Sequence, residues 1–284
     1  MQMQESAHFV DAGIKANLYD SPNLQKPLIY KSKSVINHVN NVKGIWQVLY
    51  ESQNSAILVL ESPWELDEGD SNRSSVLPFV EGIAKMLGDT EVYHANFYDK
   101  SSFNKALDCL CKKKFSNTLV YIAAHGSKRR VGNTNIMHVL RSIGEKSNQF
   151  NITGIMLGAC FVGGNTIDME IFSLGNNLRW CAGYASSAFW LPATLIDCAI
   201  MSAMLKVDSG SNYDRDDIID IMADALSTFD GKVHIGENLD DQPTSLEDSL
   251  EFVLQPKGRG FQPKSIAEQI FSARKGFLLN EEEY

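Results

Sequence analysis

The sequence predicts an α/β fold built on a mainly parallel sheet with helices on both faces. Three observations lead there. Residues 56–60, 118–124 and 152–157 are apolar runs of strand length, the intervening segments carry helical periodicity, and those segments are long enough for right-handed crossovers.

The elements follow in order along the chain. The first 45 residues hold turn formers (Asp20, Ser21, Pro22, Asn23, Asn37, Asn40, Asn41) and short apolar pieces, so residues 1–50 are expected as an arm or small lobe. Residues 51–235 carry the regular alternation, and residues 236–284 form an extension that packs on that domain or trails from it. The run 56–60 has no polar interruption, as a strand covered on both faces requires. Val76, Phe79, Val80, Ile83, Ala84 and Leu87 follow at helical spacing, with Ser74 or Ser75 as N-cap, Pro78 in the first turn and Gly88 at the end. Residues 91–97 read as a strand. Phe103, Ala106, Leu107, Leu110 and Cys111 mark one face of a helix that closes on Lys112, Lys113 and Lys114. The strand 118–124 leads to a helix over about 134–143, then to strands at 152–157 and 180–186. Ala193, Ile196, Ala199, Ile200, Ala203 and Met204 lie along one further helix, and Ile218, Met222, Ala225 and Phe229 along another. Beyond Gly231 the pattern weakens to short strands at 233–235 and 252–254, with 258–263 and 279–284 loop-like or mobile.

Composition narrows the function. Of 284 residues, 44% are hydrophobic and 21% charged, ordinary globular usage that excludes disorder for most of the chain. The net charge of −9 supplies no general positive field, so nucleic acid is excluded as principal ligand. No apolar stretch is long enough to span a bilayer, and residues 1–11 lack the basic start and apolar run of a secretory signal. A cytoplasmic protein with no membrane partner is expected. The five cysteines (Cys109, Cys111, Cys160, Cys181, Cys198) form no paired C-x-x-C sites, which argues against a disulfide framework or zinc; no metal and no other cofactor is expected.

Chemistry in a parallel sheet collects where strands end. The run 118–124 leads directly into His125-Gly126-Ser127, and the run from Ile152 leads into Ala159-Cys160, with Gly163-Gly164 beyond. If those strands are neighbours, an imidazole and a thiol share one end of the sheet. A thiol of ordinary pKa is only a few per cent ionised at neutral pH, and an adjacent imidazole can take its proton as attack begins. Backbone N–H groups of Gly126 and Cys160 would then hold the oxyanion, since a glycine lets a substrate carbonyl come close. Taken singly, the same two residues could be a hydrogen-bonded histidine and a buried thiol.

The order strand, His125-Gly126, helix, strand, Ala159-Cys160 resembles the caspase-like (clan CD) cysteine peptidases. The chain departs from the caspase form: Gly158 stands where caspases have glutamine, Phe161-Val162-Gly163 replaces the short step from cysteine to glycine, and 35 residues separate His125 from Cys160. The A-C-x-x-G order of Ala159 to Gly163, and Ala182-Gly183-Tyr184 running to Trp190 ahead of a helix, are more similar to the CHAT-domain proteases. The resemblance covers residues 56–205. It implies an intracellular cysteine endopeptidase with Cys160 as nucleophile and His125 as base, a protein substrate, no cofactor, and control by a regulatory protein partner. A catalytically inactive caspase-like scaffold is the alternative from another class, and a Rossmann-like binding domain a third.

By the same resemblance the specificity pocket is walled by 62–73 and 186–190, which nominates Asp67, Ser186 and Trp190 as substrate-binding residues. The first loop carries Glu65, Asp67, Glu68 and Asp70 against Arg73. A carboxylate turned into the pocket would favour Lys or Arg, whereas an acidic loop facing solvent would leave an apolar pocket around Trp190. His94 and His138 fall inside predicted elements and are read as structural, Asp168 and Glu170 as helix N-terminal acids, and Lys128-Arg129-Arg130 as a solvated loop. Gly163-Gly164-Asn165 lacks the remainder of a phosphate-binding loop.

Overall fold

The computed structural model describes residues 54–63, 75–207, 214–256 and 261–279, with side chains as far as Arg274. The expected arm at 1–50, the acidic loop with Asp67, and residues 258–260 and 280–284 lie outside the described residues.

Strand β1 (Ser55–Glu61) is buried along its whole length and leads to helix α1 (Leu77–Leu87), strand β2 (Thr90–Asn96) and helix α2 (Lys100–Leu110). Strand β3 (Asn117–Ala123), again wholly buried, is followed by three two-residue strands, β4 (Gly126–Ser127), β5 (Arg130–Val131) and β6 (Thr134–Asn135), paired antiparallel among themselves. Helix α3 (Ile136–Phe150), strand β7 (Ile152–Gly158), helix α4 (Thr166–Ser173), strand β8 (Trp180–Tyr184) and helix α5 (Trp190–Lys206) continue the alternation. Helix α6 (Arg215–Ala225), the pair β9 (His234–Glu237) and β10 (Pro243–Ser245), the single turn α7 (Leu246–Ser249), strands β11 (Leu250–Leu254) and β12 (Lys264–Ser265), and helix α8 (Ala267–Leu279) follow.

Seven strands make the main sheet in the order β12-β11-β8-β7-β3-β1-β2. The neighbours from β8 to β2 are all parallel, while β11 runs antiparallel to β8 and β12 antiparallel to β11. This is the predicted α/β class with a mainly parallel sheet. Alternation along each strand divides the core. Ile57, Val59, Leu119, Tyr121, Met156 and Tyr184 face α1, α5, α6 and α8, while Leu58, Leu60, Val120, Ile122, Ile155 and Leu157 face α2, α3 and α4. Full burial of each such aliphatic side chain contributes about 1.5–3 kcal/mol, which is why the central strands read as unbroken apolar runs.

Some boundaries differ from expectation for local reasons. Helix α3 starts at Ile136, not about 134, because Asn135 Oδ1 accepts the Met137 N–H at 2.9 Å as an N-cap, while Thr134 and Asn135 are paired as β6. It runs on to Phe150, where Asn151 ends it in the left-handed conformation. At the start of helix α1 the Ser75 hydroxyl accepts the Leu77 N–H at 3.3 Å, and a second element shares the capping. The Glu61 carboxylate, at the end of β1, accepts the Val76 N–H and the Ser75 hydroxyl, each at 2.9 Å, and so satisfies the helix start from a neighbouring element. Residues 236–284, expected as an extension, supply two strands of the sheet, β11 and β12.

Candidate active site

The β3–β7 register pairs Ala123 with Gly158, so His125 and Cys160, each two residues further on, leave the same end of neighbouring strands at the same level. The Ala124 N–H donates to the Gly158 carbonyl at 3.3 Å, extending that contact past the formal strand ends. At the next step the two main chains touch. An ideal Cβ on Gly126 would overlap the Cys160 carbonyl and amide, so only glycine allows this approach. The His125 loop is closed by its own carbonyl, which accepts the Gly132 N–H at 2.7 Å. It is fastened to the far side of the Cys160 turn by Arg129, which pairs with Asp168 on α4 at 2.9 Å, and by Asn165 Nδ2, which donates to the Lys128 carbonyl.

The turn after Cys160 is anchored on β8. The Phe161 N–H donates to the Ser186 carbonyl and the Gly163 N–H to the Tyr184 carbonyl, both at 2.8 Å. Phe161 itself adopts φ +66°, the left-handed region that a bulky residue enters only at a cost of about 1–2 kcal/mol. Strain of this kind is sustained when its surroundings fix the turn, and it commonly marks a reactive position. Cys160 Sγ accepts the Ala188 N–H at 3.4 Å. Burial pushes the thiol above its ordinary pKa, and the Ala188 N–H works against that by favouring the thiolate. The resting sulfur is therefore a neutral thiol that needs a base, while His125 is exposed to solvent at the adjacent strand end.

Beside Cys160 opens a small pocket of about 20 Å³. Val76, Ala188, Trp190 and Ala193 form its apolar walls, and Tyr121, Tyr184 and Asp197 also line it. Trp190 packs edge-on against Phe79, with ring centroids 5.6 Å apart.

No protein-family model matches the sequence, and no curated protein matches it. Among solved structures the chain is similar to the Arg specific cysteine proteinase gingipain R, at 11% identity and a TM-score of 0.38, over 63% of this chain and 44% of that one. It is also similar to the complex of Porphyromonas gingivalis RgpB pro- and mature domains, at 8% identity and a TM-score of 0.37, over 55% of this chain and 38% of that one. This chain thus spans less than half the length of either. A likeness of this size says nothing of chemistry.

The structure brings His125, Gly126, Cys160 and Trp190 to one end of the sheet. Ser186 serves otherwise: its side chain is buried, its hydroxyl donates to the Ser187 carbonyl and meets the Ser249 hydroxyl at 2.6 Å, and it does not line the pocket. Asp67 lies outside the described residues. His94 meets Glu61 and His138 meets Asn104, at 3.0 and 2.9 Å, in keeping with structural roles. Asp168, read as a helix N-terminal acid, and Arg129, read as a solvated residue, instead form the pair that ties the two loops together. Asp197 was not among the residues singled out. Its signal was a lone acid in the middle of an otherwise apolar helix, the sequence Trp190 to Lys206 having no other charged residue before its final lysine.

Proposed function

We propose that this protein is a cysteine endopeptidase that uses a Cys160–His125 dyad. One observation carries the reading: His125 and Cys160 follow register-matched ends of neighbouring parallel strands, with the Gly126 main chain pressed against that of Cys160. His125 takes the Sγ proton as sulfur attacks the carbonyl carbon of the scissile bond, and the oxyanion so formed lies against the N–H groups of Gly126 and Cys160. The C–N bond then breaks. The leaving amine receives the proton from the His125 imidazolium, and a thioester remains on Cys160. Water, deprotonated by His125, attacks that thioester, and the thiol departs reprotonated with release of the acid product.

No metal or organic cofactor enters this scheme. A protein substrate, control by a protein partner, a cytoplasmic setting and a place near the CHAT-like branch complete the proposal; the A-C-x-x-G order from Ala159 to Gly163 supports the last of these. The test is Cys160→Ala, which removes only a sulfur from a partly buried site. Peptide cleavage should vanish while the unfolding transition stays in place, and undiminished cleavage by this variant refutes the assignment.

A further inference from the structure

The pocket beside Cys160 ends on a group that the dyad does not use. Asp197, on α5, is 1% exposed and lines that pocket. Its Oδ2 accepts the Tyr121 hydroxyl at 2.7 Å and its Oδ1 the Tyr184 hydroxyl at 2.8 Å. Each carboxylate oxygen can accept a further hydrogen bond. Among the described residues no cation pairs with it. Buried carboxylates are ordinarily paired, because desolvating a lone charge is costly. Burial pushes this one up to about 7, against the opposing pull of the two tyrosine hydroxyls.

The chain makes room for this arrangement. An ideal Cβ on Gly158 would lie 2.8 Å from Asp197 Oδ2 and 2.7 Å from the Tyr121 ring, so a side chain at 158 would displace the acid or its holder. Gly158 lines the pocket two residues before the nucleophile, and its bareness lets the carboxylate reach the pocket wall. Val76, Ala188, Trp190 and Ala193 form an apolar sleeve leading to that acid, and Trp190 Nε1 is buried without a hydrogen-bond partner. An apolar sleeve with an uncompensated acid complements a long apolar stem tipped by a cation.

We infer that this pocket selects lysine or arginine at the residue preceding the scissile bond, with Asp197 as the specificity-determining group held in place by Tyr121 and Tyr184. The inference rests on the Cys160 peptidase reading. The cation supplies the counter-charge that the described residues do not, and each Asp197 oxygen keeps its tyrosine donor while accepting from the substrate. The groups facing Asp197 are Tyr121 from β3, Tyr184 from β8, Cys198 beside it on α5 and Cys160 from the turn after β7. Burial pushes all four above their ordinary ranges, so they are neutral where Asp197 titrates. The sign follows: Asp197 ionises as pH rises through about 7, so preference for a cation strengthens with rising pH and fades as pH falls.

The experiment treats the full chain with peptide acyloxymethyl ketones that differ only in the residue next to the warhead (Lys, Arg, Leu or Asp), and reads the rate of adduct formation at Cys160 by mass spectrometry. Lys or Arg probes should react about 10²-fold faster than Leu, and the faster of the two identifies the head group the pocket prefers. Asp197→Asn, which can retain hydrogen bonds to both tyrosines, should bring the cation-to-Leu ratio close to one with its unfolding transition unmoved. In the wild type that ratio should fall between about pH 8 and about pH 6, and dividing the two rates cancels the titration of the dyad itself. The pH series decides the matter on its own if Asp197→Asn does not fold. Faster labelling by Leu or Asp, or a cation preference that survives Asp197→Asn, overturns this specificity and leaves the peptidase standing. Absence of an adduct at Cys160 with every probe overturns the peptidase reading and this inference with it.

Discussion

The two ends of the central sheet use their polar groups in different ways. At the amino end, Asn117 Nδ2 donates to the Met204 and Val207 carbonyls at 3.2 and 3.4 Å, and Asn117 Oδ1 accepts the Thr153 hydroxyl. Asn151 Nδ2 donates to the Phe115 carbonyl at 3.1 Å, and Asn177 Nδ2 donates to Asn151 Oδ1 at 2.9 Å. These side chains close the ends of helices and strands upon one another. At the carboxyl end, Asp197 has hydroxyl donors but no counter-charge among the described residues, the Cys160 thiol has one weak donor, and Trp190 Nε1 has no partner. Backbone strain divides in the same way. Asn151 sits at φ +53° and Phe161 at φ +66°, but asparagine tolerates that region and ends a helix there, whereas phenylalanine gains nothing from it. Cavity size does not distinguish the ends: the amino-end cavity lined by Asn117, Thr153, Arg179 and Trp180 and the pocket beside Cys160 are both small, about 30 and 20 Å³. A nucleophilic thiol beside an acid with no counter-charge among the described residues marks the reactive end; volume does not, and neither does an unpartnered donor, since Trp180 Nε1 at the amino end is also buried without one.

Substitutions at each end sharpen this contrast. The largest expected effect is at the reactive end, where Gly126→Ala must push the His125 loop away from the Cys160 main chain. A displacement of about 1 Å between reacting groups should slow Cys160 labelling by a peptide acyloxymethyl ketone by about 10²-fold. A variant with full activity would break the link between close main-chain approach and function. At the other end, Asn117→Ala strands two carbonyls and a threonine hydroxyl. It should lower stability by about 1–3 kcal/mol in urea unfolding, while kcat/KM per folded molecule stays unchanged. Loss of activity without loss of stability there would show that the amino end is not merely structural.

Much of the fold is legible in the sequence because five of its strands are buried or flanked on both sides, and such strands leave apolar runs that need no partner to be recognised. The helices of residues 77–87 and 100–110 are equally plain from spacing, Asp99 and Ser102 capping the second reciprocally. What the sequence hides is what depends on contact between distant residues. The two-residue strands β4 to β6 are too short to show a period, and their pairing is set by the loop they close. Ser75 at the start of α1 is legible as a local cap, but the share taken by Glu61, 15 residues before Val76, is not. Cys160 and His125 are visible because each follows an apolar strand directly. The role of Ser186 is not visible, since its hydroxyl is engaged by Ser249 from a segment 63 residues on. Asp197 lies between these cases: its incongruity within an apolar helix can be read from the sequence, but the pocket it lines exists only once β3, β7, β8 and α5 have assembled.

The most direct measurement compares the wild type with His125→Ala in labelling by a peptide acyloxymethyl ketone, following all five cysteines by mass spectrometry. Wild-type protein should form its adduct on Cys160 and not on the exposed Cys109, and removing the imidazole should slow that adduct by about 10²-fold or more. Equal rates with and without His125, or an adduct that favours Cys109, would contradict the claim that this thiol and this histidine act as one unit.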